Sequence, residues 1–224
     1  MQGGSEVDIV EATGDMLDPA AAAWTTVPVE TVRLAPVPLE AQPNAYIRAA
    51  WAGRPYGRVS EVRVATVRSG DSLLVRLEWE RSGDPPGEFA DAAAVFFPAA
   101  GGTAPPITIG THAEPVTLWA WRDRLEVQAA LPQAKELIAT GPGTFRPRGA
   151  SAGDTAGSGQ TSERPGSVAA ASRCEQGRWN VVVQGDLGPA SKSGRMGIVV
   201  WDGSNDERAG IGAVSPDWLA LSSS

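Results

Sequence analysis

Alternation of apolar and polar side chains with a period of two is the feature that most constrains the fold of this chain. In segments 62–67 and 75–80, most of the apolar side chains are β-branched, leucine or tryptophan, and charged residues recur between them. That spacing is typical of strands with one buried face. Between the two segments, Gly70 favours a hairpin turn because glycine adopts positive φ at little cost. Further strands are predicted at 31–34, 92–97, 116–121, 179–184 and 196–201.

Glycine and proline separate these segments, with 26 Gly and 18 Pro among 224 residues. Only two short windows, 17–23 and about 133–138, favour a helix. Parallel βαβ units need longer helices between their strands. We therefore predict an all-β fold: a single β-sandwich, immunoglobulin-like or lectin-like, with a few short helices.

Segment 139–178 interrupts the strand pattern. It contains Phe145 and Val168 but no Leu, Ile, Met, Trp or Tyr. Such a segment buries too little apolar surface to offset its ordering entropy. We predict a long loop there, rich in Gly, Ser and Pro. The strands after this loop are too few to form a second core, so we predict one domain (15–224). Residues 1–14 are predicted to be an N-terminal arm.

Composition excludes several classes of function. With 19 basic and 26 acidic residues the net charge is −7, which argues against binding to nucleic acid or to anionic lipid. No apolar run approaches the roughly 18 residues of a membrane-spanning helix, so direct membrane insertion is not expected. One cysteine, Cys174, and one histidine, His112, rule out an internal disulfide framework and a two-histidine metal site. No catalytic residue is predicted.

Localisation is inferred from the first sixteen residues, MQGGSEVDIVEATGDM. They are acidic and weakly apolar, unlike the basic and then apolar start of a secretion signal. We expect a cytoplasmic protein. The alternative is a periplasmic protein, exported in the folded state on a partner that carries the signal.

His112 is a candidate ligand or base, because an imidazole can serve as a general base, a metal ligand or an axial haem ligand. Glu114 lies two residues on and could orient the ring. A loop histidine without a special role is the other interpretation. Trp119 and Trp121 lie two apart on a predicted strand and face the same side. They could line a flat ligand or simply pack in the core.

A series of short motifs runs through residues 15–221. They are 17–24, 73–79, 89–98, 109–110, 115–121, 177–183, 200–203, 207–208 and 215–218. In this order they resemble the haem b (γ) subunits of the ethylbenzene dehydrogenase group, in the type II DMSO reductase family. Relatives include the γ subunits of dimethylsulfide dehydrogenase and of chlorate and selenate reductases.

The resemblance implies a β-sandwich that binds one haem b. Such a subunit sits beside a molybdopterin catalytic subunit and an iron–sulfur subunit, and relays electrons between the clusters and an external partner. Substrate chemistry would then take place in another chain of the molybdoenzyme complex.

The family's haem ligands, a methionine and a lysine, fall by resemblance at Ile109 and Gly212. Neither residue can ligate iron. One outcome is a replacement ligand, and His112 lies three residues from Ile109. The other is loss of the haem, which leaves a structural subunit. Because one histidine replaces only one ligand, the second outcome is favoured.

Two other classes of function stay open from the residues. A free-standing carbohydrate- or ligand-binding β-sandwich module would use the tryptophan pair for stacking. An enzyme in its own right is disfavoured because His, Cys and Lys are scarce.

Overall fold

The computed structural model describes residues 6–82, 89–123, 133–147 and 168–223, and in these residues it is built mainly of strands. The predicted all-β class is confirmed, and every predicted strand segment overlaps an observed strand. The strands are β1 (Glu6–Glu11), β2 (Glu30–Arg33), β3 (Ala35–Pro36), β4 (Glu61–Ser69), β5 (Ser72–Glu80), β6 (Ala92–Pro98), β7 (Val116–Arg122), β8 (Ala134–Ala139), β9 (Phe145–Pro147), β10 (Val168–Glu175), β11 (Arg178–Asp186), β12 (Arg195–Trp201), β13 (Ala213–Val214) and β14 (Leu219–Ser223).

The helices in the described part of the chain are short, as predicted. They are α1 (Ala45–Trp51), α2 (Gly188–Ser193) and 3₁₀ turns at Ala22–Thr26, Leu39–Ala41, Pro106–Thr108 and Gly203–Asn205. None of them has the length and apolar character needed to cross a bilayer.

One hydrogen-bonded sheet runs in the order β10-β11-β5-β4-β1-β14-β12-β6-β7-β8-β9. In addition, β2 pairs with β4, and β13 joins β12 to β3. The sheet curls so that two halves face each other. We call β2, β4, β5, β10 and β11 the first half-sheet, and β6, β7, β8, β9, β12 and β13 the second half-sheet.

The main core lies between these halves. Val64, Leu77 and Val183 of the first half-sheet share one buried cluster with Val95 and Ile198 of the second. The alternation recognised in the sequence supplies this layer, because every second side chain points inward. Gly70, with φ of +59°, occupies the predicted hairpin turn between β4 and β5.

Strand β1 lies inside segment 1–14, which the sequence analysis predicted to be an arm. It pairs in parallel with both β4 and β14, so that Ile9 is opposite Thr66 on one side and Ser223 on the other. The hydroxyl of Thr66 also donates to the carbonyl of Asp8 at 2.6 Å. The start of the described chain therefore joins the first half-sheet to the last strand.

Both predicted helical windows differ from the structure. Segment 133–138 forms most of strand β8, because β7 offers it a complete ladder from Val116 opposite Ala139 to Trp121 opposite Ala134. Pairing of this kind overrides local helix propensity. Segment 17–23 contains only the start of the Ala22–Thr26 turn, whose Trp24 covers the outer face of the first half-sheet.

The predicted loop 139–178 is shorter than expected at both ends. Strand β9 pairs with β8, and strand β10 pairs along its whole length with β11. Gln176 and Gly177 both have positive φ, at 51° and 74°, and form the two-residue turn between β10 and β11. An edge strand held by such a hairpin needs few large apolar side chains. The middle of the predicted loop, 148–167, lies outside the described residues.

Candidate functional site

An apolar pocket of about 330 Å³ lies on the outer face of the second half-sheet. We call it the outer pocket. Its floor is formed by side chains of β6, β7 and β8, with Leu118 and Leu137 beside the small Ala120. Phe145 and Trp201 line its wall, with an edge-to-face arrangement and ring centroids 6.1 Å apart. Alternation along β7 places Leu118 and Ala120 on this outer face, because Trp119 between them points into the main core.

Position 109, where the resemblance places a ligating methionine, is held by a strained backbone. Ile109 is fully buried and adopts φ of 48° and ψ of 49° at the end of the Pro106–Thr108 turn. A β-branched residue is rarely found in this left-handed region, which costs about 1–2 kcal/mol. Its side chain packs in the same apolar cluster as Leu118 and Trp201. Position 109 therefore belongs to an apolar cluster that includes two residues of the pocket lining, and an alkyl group fills it.

Position 212, where the resemblance places a ligating lysine, is packed against Trp201. A Cβ atom at Gly212 would lie 2.7 Å from Cδ1 of the Trp201 indole and 2.8 Å from the carbonyl oxygen of Val200. The indole is held in place because its Nε1 donates to the carbonyl of Ala209 at 2.9 Å. The indole thus occupies the space that the Cβ atom of a side chain at position 212 would need.

His112 lies on an exposed turn after Gly110 and is not among the described residues that line the outer pocket. The carboxylate of Glu114 is committed elsewhere. It accepts hydrogen bonds from the backbone N–H groups of Ala104 and Thr103, at 2.6 and 2.8 Å, and from the Thr103 hydroxyl. These bonds lower the pKa of Glu114.

Trp119 and Trp121 face the main core. Trp119 packs against Phe97 with ring centroids 4.6 Å apart and the rings tilted by 60°, and Trp121 packs against Trp79 and Trp179 at 5.9 and 5.0 Å. Both indoles are 1% exposed. Trp121 also borders one end of the outer pocket. The structure therefore favours the core interpretation of the pair over a flat surface for stacking.

Glu207 organises the loop beside the outer pocket. Its Oε1 accepts from the backbone N–H groups of Gly57 and Arg58 and from the side-chain amide of Asn205, while Oε2 accepts from the N–H of Asp202. Burial raises the pKa of this carboxyl, and the four donors offset part of the rise. In the sequence, residues 207–208 stand out only as one motif of the series, because no local pattern shows that Glu207 would be buried.

Glu207→Gln is expected to change how stability depends on pH. Because the folded state raises the pKa of Glu207, the folded state binds the proton more tightly than the unfolded state does. Wild-type stability should therefore fall, relative to the Gln variant, as the pH rises from about 4.3 through the raised pKa. Urea unfolding of both proteins from pH 4 to 7 measures this difference. If the free energy of unfolding of the wild type, relative to that of the Gln variant, stays constant or rises with pH, the raised pKa of Glu207 is contradicted.

Two curated relatives match this chain over most of its length. The gamma subunit of the chlorate reductase of Ideonella dechloratans is 30% identical over 94% of this chain and 81% of its own. The chain belongs to the family of gamma (haem b) subunits of type II molybdoenzymes. The ORF7 protein of Haloferax mediterranei, named as a respiratory nitrate reductase heme subunit, is 29% identical over 95% of this chain and 70% of its own. No family model matches the chain.

The donor atoms at the pocket do not fit the methionine and lysine ligands of the gamma-subunit family. Ile109 and Gly212 offer no lone pair, and the described lining contains no Met, His or Cys. Lys135 carries an amine at the pocket, but this side chain already takes part in another interaction. Neither Ile109 nor Gly212 is among the described residues that line the pocket.

Sequence reasoning missed Phe145 and Trp201 as the aromatic wall. Phe145 is the one aromatic residue in 139–178, and an isolated ring in a polar segment is a signal that the segment returns to an apolar surface. No local signal could have found Trp201, because its role follows from the contact with Gly212.

Proposed function

We propose that this chain is a non-catalytic gamma-type subunit of a reductase complex with a molybdopterin catalytic subunit and an iron–sulfur subunit. We propose further that it works there as a structural subunit without a ligated haem b. The observation that supports the second part is that both positions to which the resemblance assigns a haem ligand are closely packed. Ile109 packs in the apolar cluster of Leu118 and Trp201, and Trp201 closes the space in front of Gly212.

Support for the first part comes from the relatives. Both are named as subunits of reductases, and the match covers 94–95% of this chain rather than one motif. The carbohydrate-binding alternative depended on an exposed tryptophan pair. Because Trp119 and Trp121 are buried in the main core, that argument no longer holds.

The test is to purify the complex through a tag on this chain and to measure its metals and absorption spectrum. We expect molybdenum and iron–sulfur iron in stoichiometric amounts, with no Soret band and no sharpened α and β bands after reduction by dithionite. The His112→Ala complex is the matched control and should give the same spectrum.

Each part of the proposal can fail separately. Haem bands in the wild-type complex would contradict the haem-free role, and their loss in His112→Ala would identify His112 as a ligand. Absence of molybdenum from every preparation would contradict the assembly with a molybdopterin subunit.

A further inference from the structure

The outer pocket is a formed cavity whose described lining includes neither Ile109 nor Gly212. Its volume of about 330 Å³ is at the lower end of the range for small-molecule sites, roughly 300–1,000 Å³. The floor consists of neighbouring strands, with the small side chains of Ala92 and Ala120 among its lining residues. Phe145 and Trp201 stand at one side. An apolar floor beside an aromatic wall suits a planar apolar group.

The charged groups that line this pocket are mostly cations, in a chain whose net charge is −7. Arg122, Lys135 and Arg208 all line it, and Arg122 and Lys135 already take part in other interactions. The guanidinium of Arg208 lies over the Phe89 ring at 3.8 Å, and its Nη1 donates to the carbonyl of Asp206. These two contacts fix the head of Arg208 at the pocket. An arginine fork presents five N–H donors, so this one can still bind a carboxylate.

Glu207 is the one acid among the described lining residues. Both of its oxygens accept hydrogen bonds from residues 57–58, 202 and 205. The carboxylate is therefore turned into the loop that it holds. The remaining N–H donors of Arg208 offer a contact for an anion at the pocket.

We propose that the outer pocket binds a small planar aromatic carboxylate, with the ring against Phe145 and Trp201 and the carboxylate at Arg208. Shape and charge hold this ligand, and no metal bond is involved. The proposal goes beyond the role in the complex, because it concerns a site that this chain carries alone.

The test uses the full-length chain and two probes of the same shape, 2-naphthoate and the neutral 2-naphthamide. Isothermal titration calorimetry should give one site, with naphthoate bound more tightly than naphthamide. Arg208→Gln should weaken naphthoate about tenfold, the effect of roughly 1.4 kcal/mol of charge-assisted contact, and change naphthamide less than about twofold. Arg63→Gln, on the other half-sheet, is the matched control and should leave both affinities unchanged.

A second variant tests the place of the site. Ala120→Phe fills the floor and should abolish binding of both probes. If that variant fails to fold, as judged by circular dichroism, Ala92→Leu fills the neighbouring part of the floor and should have the same effect. Equal affinity for the two probes, an unchanged affinity in Arg208→Gln, or no binding to the wild type at 1 mM (about −4 kcal/mol) would each overturn the proposal. The absorption spectrum of the complex tests the proposed haem-free role, and its result does not depend on these binding measurements.

Discussion

Trp121→Ala is expected to lower the free energy of unfolding by about 3–5 kcal/mol, the usual cost of removing a large buried aromatic side chain. Trp121 is 1% exposed and packs edge-to-face against both Trp79 and Trp179. Trp121 lies between the two half-sheets. Neither half-sheet can move into the cavity that the substitution leaves without losing hydrogen bonds between its own strands. Urea unfolding followed by circular dichroism measures the change.

The control for this prediction is Tyr46→Ala. Tyr46 is 80% exposed on α1, so its removal should change the free energy of unfolding by no more than about 0.5 kcal/mol. A loss below about 1.5 kcal/mol in Trp121→Ala would mean that the core collapses into the space, contrary to the rigid packing that we infer.

Gly212→Ala should cost about 1–3 kcal/mol, because its Cβ would overlap both the Trp201 indole and the carbonyl oxygen of Val200. The indole can give way only by breaking the hydrogen bond from its Nε1 to Ala209. If Trp201 is the main obstacle, the cost should fall in a Trp201→Ala background. A double-mutant cycle from urea unfolding measures that coupling.

The cycle also bears on the ligand positions. A coupling energy of about 1 kcal/mol or more would show that Trp201 occupies the space in front of position 212. Additive effects of the two changes would place the obstacle at the Val200 backbone instead. In that case Trp201 would not be the group that closes position 212.

Much of the fold could be predicted from local pattern. The alternation in β4 and β5 and the turn at Gly70 report directly on which side chains are buried, since a strand's two faces have different solvents. Strand β8 could not be predicted in this way. Its residues have no strong strand propensity, and it is extended because β7 supplies its partner.

The candidate site, too, could be predicted from the sequence only in part. The resemblance located positions 109 and 212 from short motifs in order, and the residue types there exclude ligation whatever the fold. That the wall consists of Phe145 and Trp201 could not be read from residues 56 apart. It depends on the curl of the second half-sheet, which brings side chains of β9 and β12 together although β6, β7 and β8 lie between these strands.

The order of residues alone determined that this chain forms strands, that it carries one histidine and one cysteine, and that the side chains at positions 109 and 212 cannot ligate iron. These facts depend on side-chain type and on neighbours in sequence. Only the tertiary structure decided that β1 joins β4 to β14, that Glu207 is buried in its loop, and that Trp201 lies against Gly212. Each of these contacts joins residues or strands that come together only when the sheet curls, and packing of that kind leaves no local pattern in the sequence.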